Sequence, residues 1–125
     1  MKLKSFNPEN AANIRKGKPT IHIGSNGAIS MNAVATNLTG LKPGDKVEFH
    51  QDETNPKDWY ISKSKSGFEL RAYNQDRGVI FNSSKLASII LEIIGGPITA
   101  TMIIGNEPVD GKYWPVITSS AKTKE

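Results

Sequence analysis

Short segments in which apolar and polar residues alternate, separated by turn-forming residues, recur along most of this chain. They lie at residues 20–24, 28–31, 46–50, 59–62, 68–73, 79–81, 99–104 and 113–118. Such alternation is typical of β-strands with one buried and one exposed face. Ser25, Asn26 and Gly27 have the chemistry of a tight hairpin turn. The sequence therefore predicts an α+β fold built on a mainly antiparallel, curved sheet or partly open barrel of about seven or eight strands.

One amphipathic helix is predicted at residues 83–94, with shorter helices near 8–14 and 33–39. The long helix has Asn82 or Ser83 as its N-cap and ends at Gly95. Its apolar stripe, which we expect to lie in the core, consists of Leu86, Ile89, Ile90, Ile93 and Ile94. Residues 29–32 resemble residues 79–82, and each segment precedes a helix. Either a degenerate duplication or a shared requirement for a cap explains this similarity.

The length of 125 residues corresponds to about one domain. We expect residues 1–118 to form it, with a basic N-terminal arm at 1–18 and a polar tail at 119–125. Pro115 predicts that the last strand is an edge strand. No apolar stretch is long enough for a bilayer, and no apolar region follows the basic start. We therefore expect neither a membrane span nor a secretory signal, and a cytoplasmic location.

Charge gives the first indication of a partner. Sixteen Lys and Arg against twelve Asp and Glu give a net charge of +4, and such a surplus favours polyanions. The same charge also serves solubility. The arm is the most cationic segment, with Lys2, Lys4, Arg15, Lys16 and Lys18 against one acid. It is either a binding arm or a solvated terminus.

Residues 27–49 resemble the AbrB type of swapped-hairpin DNA-binding domain. The resemblance lies in a strand that begins at Gly27, a short helix, and the turn and strand Gly-Leu-Lys-Pro-Gly-Asp-Lys-Val-Glu-Phe at residues 40–49. Asn32 stands where the family carries proline, and Ala35 and Thr36 replace its basic helix residues. The resemblance therefore implies the local fold more than the family's DNA contacts.

The order of strands followed by a capped helix is also similar to the positive-cofactor-four type of single-stranded DNA-binding domain. That resemblance implies an exposed sheet face with aromatic and basic side chains. Strand alternation places His22, Lys46, Tyr60, Arg71 and Tyr73 outward, with Lys18 and Lys63 nearby. We expect Tyr60, Arg71 and Tyr73 to share one patch on adjacent strands. Outward tyrosines and arginines also follow from strand propensity and solubility alone.

Signatures of catalysis are absent from the sequence. The chain has no cysteine, which excludes thiol chemistry and thiolate metal sites. His50 has no second histidine at ligand spacing, and no phosphate loop or nucleophile elbow occurs. We expect no catalytic residue, metal or cofactor. The predicted function is a non-enzymatic nucleic-acid-binding module that binds single-stranded DNA or resembles a transcription regulator. We expect DNA rather than RNA as its partner, and a homo-oligomer. The alternative is a structural or protein-interaction module whose basic charge is incidental.

Overall fold

The computed structural model describes residues 17–73 and 78–124. In these ranges the chain forms nine strands and two helices. The strands are β1 (Thr20–Gly24), β2 (Ala28–Met31), β3 (Lys46–Gln51), β4 (Trp59–Ser64), β5 (Phe68–Glu69), β6 (Arg71–Tyr73), β7 (Gly78–Asn82), β8 (Thr99–Ile104) and β9 (Trp114–Lys124). The helices are α1 (Ala33–Thr39) and α2 (Ser84–Ile93). The predicted helix near 8–14, and the arm up to residue 16, lie outside the described residues.

All nine strands belong to one antiparallel sheet in the order β5-β3-β4-β9-β8-β1-β2-β7-β6. The two end strands, β5 and β6, are consecutive parts of residues 68–73. Leu70, which joins them, donates its backbone N–H to the carbonyl of Asp45 and accepts from the N–H of Gly44, both at 2.8 Å. The sheet therefore curves back on itself into a nearly closed barrel. The predicted α+β class and curved, barrel-like sheet are confirmed.

The core is made of the inward-facing side chains of the strands together with one side of α2. Ile21, Ile23 and Ile61 are fully buried. From α2 the buried residues are Ala87, Ile90 and Leu91. The predicted stripe was too wide: Ile89 is 39% exposed, and Leu86, Ile93 and Ile94 are only partly buried against the core. The small side chain of Ala87 belongs to the surface of α2 that contacts the sheet, although the predicted stripe contains only large apolar residues.

Capping hydrogen bonds define where both helices begin. Asn32 caps α1 by accepting from the N–H of Ala35 at 2.9 Å, and α1 ends at Gly40 with a φ of 75°. Of the two predicted caps of α2, Ser83 fills the position and accepts from the N–H of Leu86 at 3.2 Å. The similar segments 29–32 and 79–82 lie side by side, because β2 and β7 pair in antiparallel register. Ile29 lies opposite Phe81, and Met31 lies opposite Val79.

The prediction that Pro115 marks an edge strand is wrong, because β9 lies between β4 and β8. The carbonyl of Pro115 accepts from the N–H of Gly105 at 2.8 Å. In a strand, the N and O of one residue point toward the same neighbouring strand. The proline nitrogen, which lacks a hydrogen, therefore faces Gly105, just beyond the end of β8. A central strand accommodates the proline there without losing a bond along β8.

The predicted polar tail at 119–125 is also wrong for residues 119–124, which continue β9. Thr123 lies opposite Ala100 and Lys122 lies opposite Thr101 of β8. The segment looks like a tail in sequence because polar side chains suffice on the outside of a barrel. Its backbone is nevertheless held by pairing with β8. The interruption at Leu70 divides the predicted strand 68–73 into β5 and β6, which brings the strands of the described ranges to nine.

Candidate functional site

Six residues, one from each of six adjacent strands, form a continuous row of cross-strand neighbours on the outer surface of the barrel. In order from β9 to β6 they are Lys122, Thr101, His22, Ser30, Ile80 and Arg71. We call this set the basic row. Because neighbouring strands lie about 4.8 Å apart, the row extends roughly 24 Å along the curved sheet. The pairing thus brings together residues that are far apart in sequence.

Four members of the basic row, Thr101, His22, Ser30 and Ile80, face outward because their neighbours along the strand face the core. Lys122 and Arg71 pair beside them on the same surface. Ile21 and Ile23 flank His22 and are fully buried, and Ile29 and Met31 flank Ser30 and are also buried. Lys122, His22 and Arg71 are exposed, while the residues between them are partly buried. Between the cationic ends, Thr101, Ser30 and Ile80 are partly buried and carry no charge, and His22 is exposed, so the row presents no negatively charged side chain to an extended ligand.

The six strands that carry the basic row contain no aspartate or glutamate. Strand acids in the described part of the chain lie instead on β3 and β5, at Glu48 and Glu69. The positive charges at the two ends of the row are therefore not neutralised by acids from the same strands. Such a surface attracts anions over several ångströms and does so less strongly as salt is added.

Two hydrogen bonds orient the side chains of the row. His22 Nδ1 lies 2.8 Å from the Thr101 hydroxyl oxygen. The Arg71 guanidinium donates to the side-chain oxygen of Asn82. A guanidinium has five N–H donors, so this bond leaves several for a ligand. Tyr73 follows on the same face of β6 and is 40% exposed, which places an aromatic ring beside the arginine.

Tyr60 lies away from Arg71 and Tyr73, contrary to prediction. Strands β4 and β6 are not adjacent, because β3 and β5 lie between them around the barrel. Tyr60 lies opposite His50 on one side and Pro115 on the other. Alternation correctly places all three side chains outward, but it does not specify which strands become neighbours. The predicted three-residue patch is therefore divided between two regions.

The region around Tyr60 is a separate polar cluster. His50 Nε2 lies 2.7 Å from the hydroxyl of Ser62, which is buried, and the His50 ring meets Tyr113 edge-on at 5.1 Å between centroids. A shallow recess of about 280 Å³ lies beside Tyr60, lined by His50, Gln51, Asp52, Tyr60 and Tyr113. Asp52 places a negative charge at this recess, which opposes an anionic ligand.

Lys46 and Lys63, both predicted as binding residues, lie among acids. The Lys63 ammonium is 3.6 Å from the Asp45 carboxylate, and Lys46 lies opposite Glu69. Nearby, the Ser64 hydroxyl donates a hydrogen bond to Glu48 and lowers the pKa of that carboxyl. Desolvation opposes the lowering of this pKa, while the Ser66 hydroxyl and His50 add to it. This side of the barrel is therefore of mixed charge.

Of the remaining predicted site residues, Lys18 precedes β1 and lies close to Lys122, and the two line one recess. Arg15 and Lys16 lie outside the described residues. Lys122, Thr101 and Ser30 were missed from the sequence. Lys122 belongs to the segment predicted as a tail, and the other two carry no charge. One signal in this segment is the β-branched residues after Val116, at Ile117, Thr118 and Thr123, which favour a strand.

Within the described ranges, the chain shows neither a metal-binding cluster nor a membrane-spanning helix. No group of three or more His, Asp or Glu residues there is arranged to hold a metal ion. Neither helix among the described residues is long and apolar enough to cross a membrane. Comparison of the chain with protein-family models, with curated proteins and with solved structures gives no match.

Proposed function

We propose that this protein is a non-enzymatic nucleic-acid-binding module that binds single-stranded DNA, or acts as a transcription regulator, through the surface of the basic row. The observation that carries the proposal is the row itself. It has a cation at each end, crosses six strands that contain no acid, and carries no negatively charged side chain between its ends. A cytoplasmic location and a preference for DNA over RNA belong to the same proposal. The preference follows the two DNA-binding families that the chain resembles.

In this proposal the phosphates and the bases contact different side chains. Lys122, Lys18 and Arg71 bind the phosphate backbone, because ammonium and guanidinium groups form charge-assisted hydrogen bonds with phosphate oxygens. Tyr73 offers its exposed ring to a base beside the Arg71 contact. Stacking on an aromatic ring contributes about 1–3 kcal/mol per base and does not depend strongly on sequence. The surface therefore supports affinity for a strand with little sequence selectivity.

The salt dependence of binding follows from the number of cations. Each phosphate contact on a single strand contributes a slope of about −0.7 to the plot of log affinity against log salt. Three contacts, from Lys18, Arg71 and Lys122, give a slope near −2. Raising the salt from about 50 to about 200 mM then weakens binding roughly 20-fold. A protein partner held by apolar contacts lacks this dependence.

Fluorescence anisotropy at these two salt concentrations tests the proposal with labelled single-stranded DNA, duplex DNA and RNA. We expect single-stranded DNA to bind best and Arg71→Gln to flatten its slope by about 0.7. Lys112→Gln is the matched control, because Lys112 is an exposed lysine in the loop between β8 and β9, outside the basic row. Binding of none of the three probes, or equal effects of the two variants, would contradict the proposal.

A protein-interaction role is the second candidate, and exposed apolar side chains at α2 favour it. Ile89 on the helix is 39% exposed, and Ile98, which follows the helix, is 53% exposed. Exposed isoleucines beside a helix are candidates for contact with a second copy of the chain. We accordingly propose a homo-oligomer. Partner binding that is insensitive to salt, without affinity for nucleic acid, would favour this role over the first.

A further inference from the structure

A large irregularity in the pairing of β8 with β9 lies next to the basic row. Ile103 lies opposite Ile117, but two residues earlier on β8 Thr101 lies opposite Lys122. Residues 118–121 of β9 are therefore matched by Met102 alone, whereas a common β-bulge adds a single residue. The Ser120 hydroxyl holds this bulge: it accepts from the backbone N–H of Ile103 at 2.9 Å and donates to the carbonyl of Ile117.

The bulge borders a recess of about 280 Å³ on the outer surface of the barrel. Its polar lining consists of Lys18, Thr20, Thr101, Ser120 and Lys122, and among the described residues no carboxylate belongs to it. Lys18 comes from the segment before β1, and Lys122 comes from the strand beyond the bulge. With regular pairing, Thr101 would face Ser119, so the register change is what places the ammonium of Lys122 at this end of the row.

We propose that this recess is a binding site for one phosphate group, held by the ammonium groups of Lys18 and Lys122 and by the hydroxyl of Thr20. Two cations and a hydroxyl donor match a tetrahedral oxyanion, which accepts hydrogen bonds from several directions. The phosphate belongs either to a nucleic-acid backbone or to a small phosphorylated molecule. The first of these sources rests on the proposed function; the second does not.

Titration with inorganic phosphate, followed by the backbone amide NMR signals of Thr20, Thr101 and Ser120, tests the site directly. We expect saturable shifts that sodium chloride at equal ionic strength does not produce. Lys18→Gln and Lys122→Gln should each weaken phosphate binding roughly threefold to tenfold. Because both lysines contact one phosphate, their effects should be non-additive in the double variant. Shifts that chloride reproduces, or effects that simply add, would overturn the site.

Thr20→Val tests whether the recess binds phosphate through a specific hydrogen bond from the hydroxyl or only through its positive charge. The change keeps the shape and charge of the side chain and replaces only its hydroxyl by a methyl group. We expect weaker phosphate binding with an unchanged salt slope, because no cation is lost. Thr99→Val is the matched control. Thr99 lies on the outer surface of the neighbouring strand β8, but it does not line the recess. Equal affinity of Thr20→Val and the parent protein would contradict the assignment.

The same variants, titrated with single-stranded DNA and with pyrophosphate, distinguish this inference from the proposed function. If Lys18→Gln, Lys122→Gln and Thr20→Val all bind phosphate like the parent, but the two lysine variants still weaken DNA binding and flatten its salt slope, the recess is not a phosphate site and the proposed function stands. If DNA does not bind but pyrophosphate saturates the recess, the site stands for a small phosphorylated ligand and the proposed function fails. Weaker binding of both ligands by the three variants supports both.

Discussion

Replacing Ile90 by alanine, with Ile89→Ala as its control, tests how α2 packs on the barrel. Both residues lie in the same helix, and both changes remove the same three carbon atoms. Ile90 is 2% exposed, whereas Ile89 is 39% exposed. Any difference in stability between the two variants therefore reports the difference in burial, because the atoms removed and the change in helix propensity are the same.

The magnitudes follow from the two exposures. Three buried carbons are worth about 2.4 kcal/mol of transfer free energy at roughly 0.8 kcal/mol each, and a cavity adds to this at Ile90. Alanine returns about 0.5 kcal/mol through its higher helix propensity. We expect Ile90→Ala to lower the free energy of unfolding by about 2–4 kcal/mol. At Ile89 the smaller buried area and the absence of a closed cavity reduce the loss to about 1 kcal/mol.

Urea unfolding, followed by tryptophan fluorescence, measures both changes, since the Trp59 side chain is buried in the same core. The midpoint should fall clearly more for Ile90→Ala, with similar denaturant slopes for the two variants. Equal losses, or a larger loss at Ile89, would show that the two sides of the helix are not distinguished by burial. The surface of α2 proposed for contact with a second copy would then be misassigned.

Three further outcomes follow from individual contacts. Because the hydrogen bond from Ser64 lowers the pKa of Glu48 below its ordinary value of 4.5 in the folded protein, its carboxylate adds stability at neutral pH that is lost as the pH falls below 4.5 toward the lowered pKa. Glu48→Gln should make the free energy of unfolding in urea depend less on pH in this acid range, and an equally steep dependence in the variant would refute the argument. Asn32→Ala removes the cap of α1, whose side chain also accepts from the Thr20 N–H and donates to the Lys18 carbonyl. We expect the free energy of unfolding in urea to fall by about 1–3 kcal/mol. Asn32→Asp keeps the acceptor and should lose less, so equal losses for the two variants would argue against the cap. Sedimentation at tens of micromolar should show an oligomer that Ile98→Asp dissociates, and a strict monomer would exclude it.

Local sequence signals predicted most of the individual elements. The turn at Ser25, Asn26 and Gly27 joins β1 to β2 as expected, and the Gly27 N–H donates to the Gly24 carbonyl at 3.0 Å. Asn32 begins α1 through a contact with a residue three positions later. These features depend on hydrogen bonds and steric limits within a few residues, so the local sequence is enough to specify them.

The candidate site was only partly predictable. Alternation correctly turned His22, Arg71 and Tyr73 outward, because the face of a side chain depends on its own strand. It also turned Tyr60 outward, but it did not show that Tyr60 lies on a strand away from Arg71, and it did not identify Lys122. For these two residues the deciding fact is which strand lies beside which. That fact depends on contacts between distant parts of the chain.

The sequence by itself thus determined most of the strands, their inward and outward faces, the cap of α1 and the excess of positive charge. Only the tertiary structure decided that β9 runs between β4 and β8, that residues 68–73 close the barrel, and that the bulge aligns Lys122 with Thr101. The physical reason is that a backbone can pair with any extended neighbour. The choice among neighbours is made by the packing of the whole core, not by the residues of one strand.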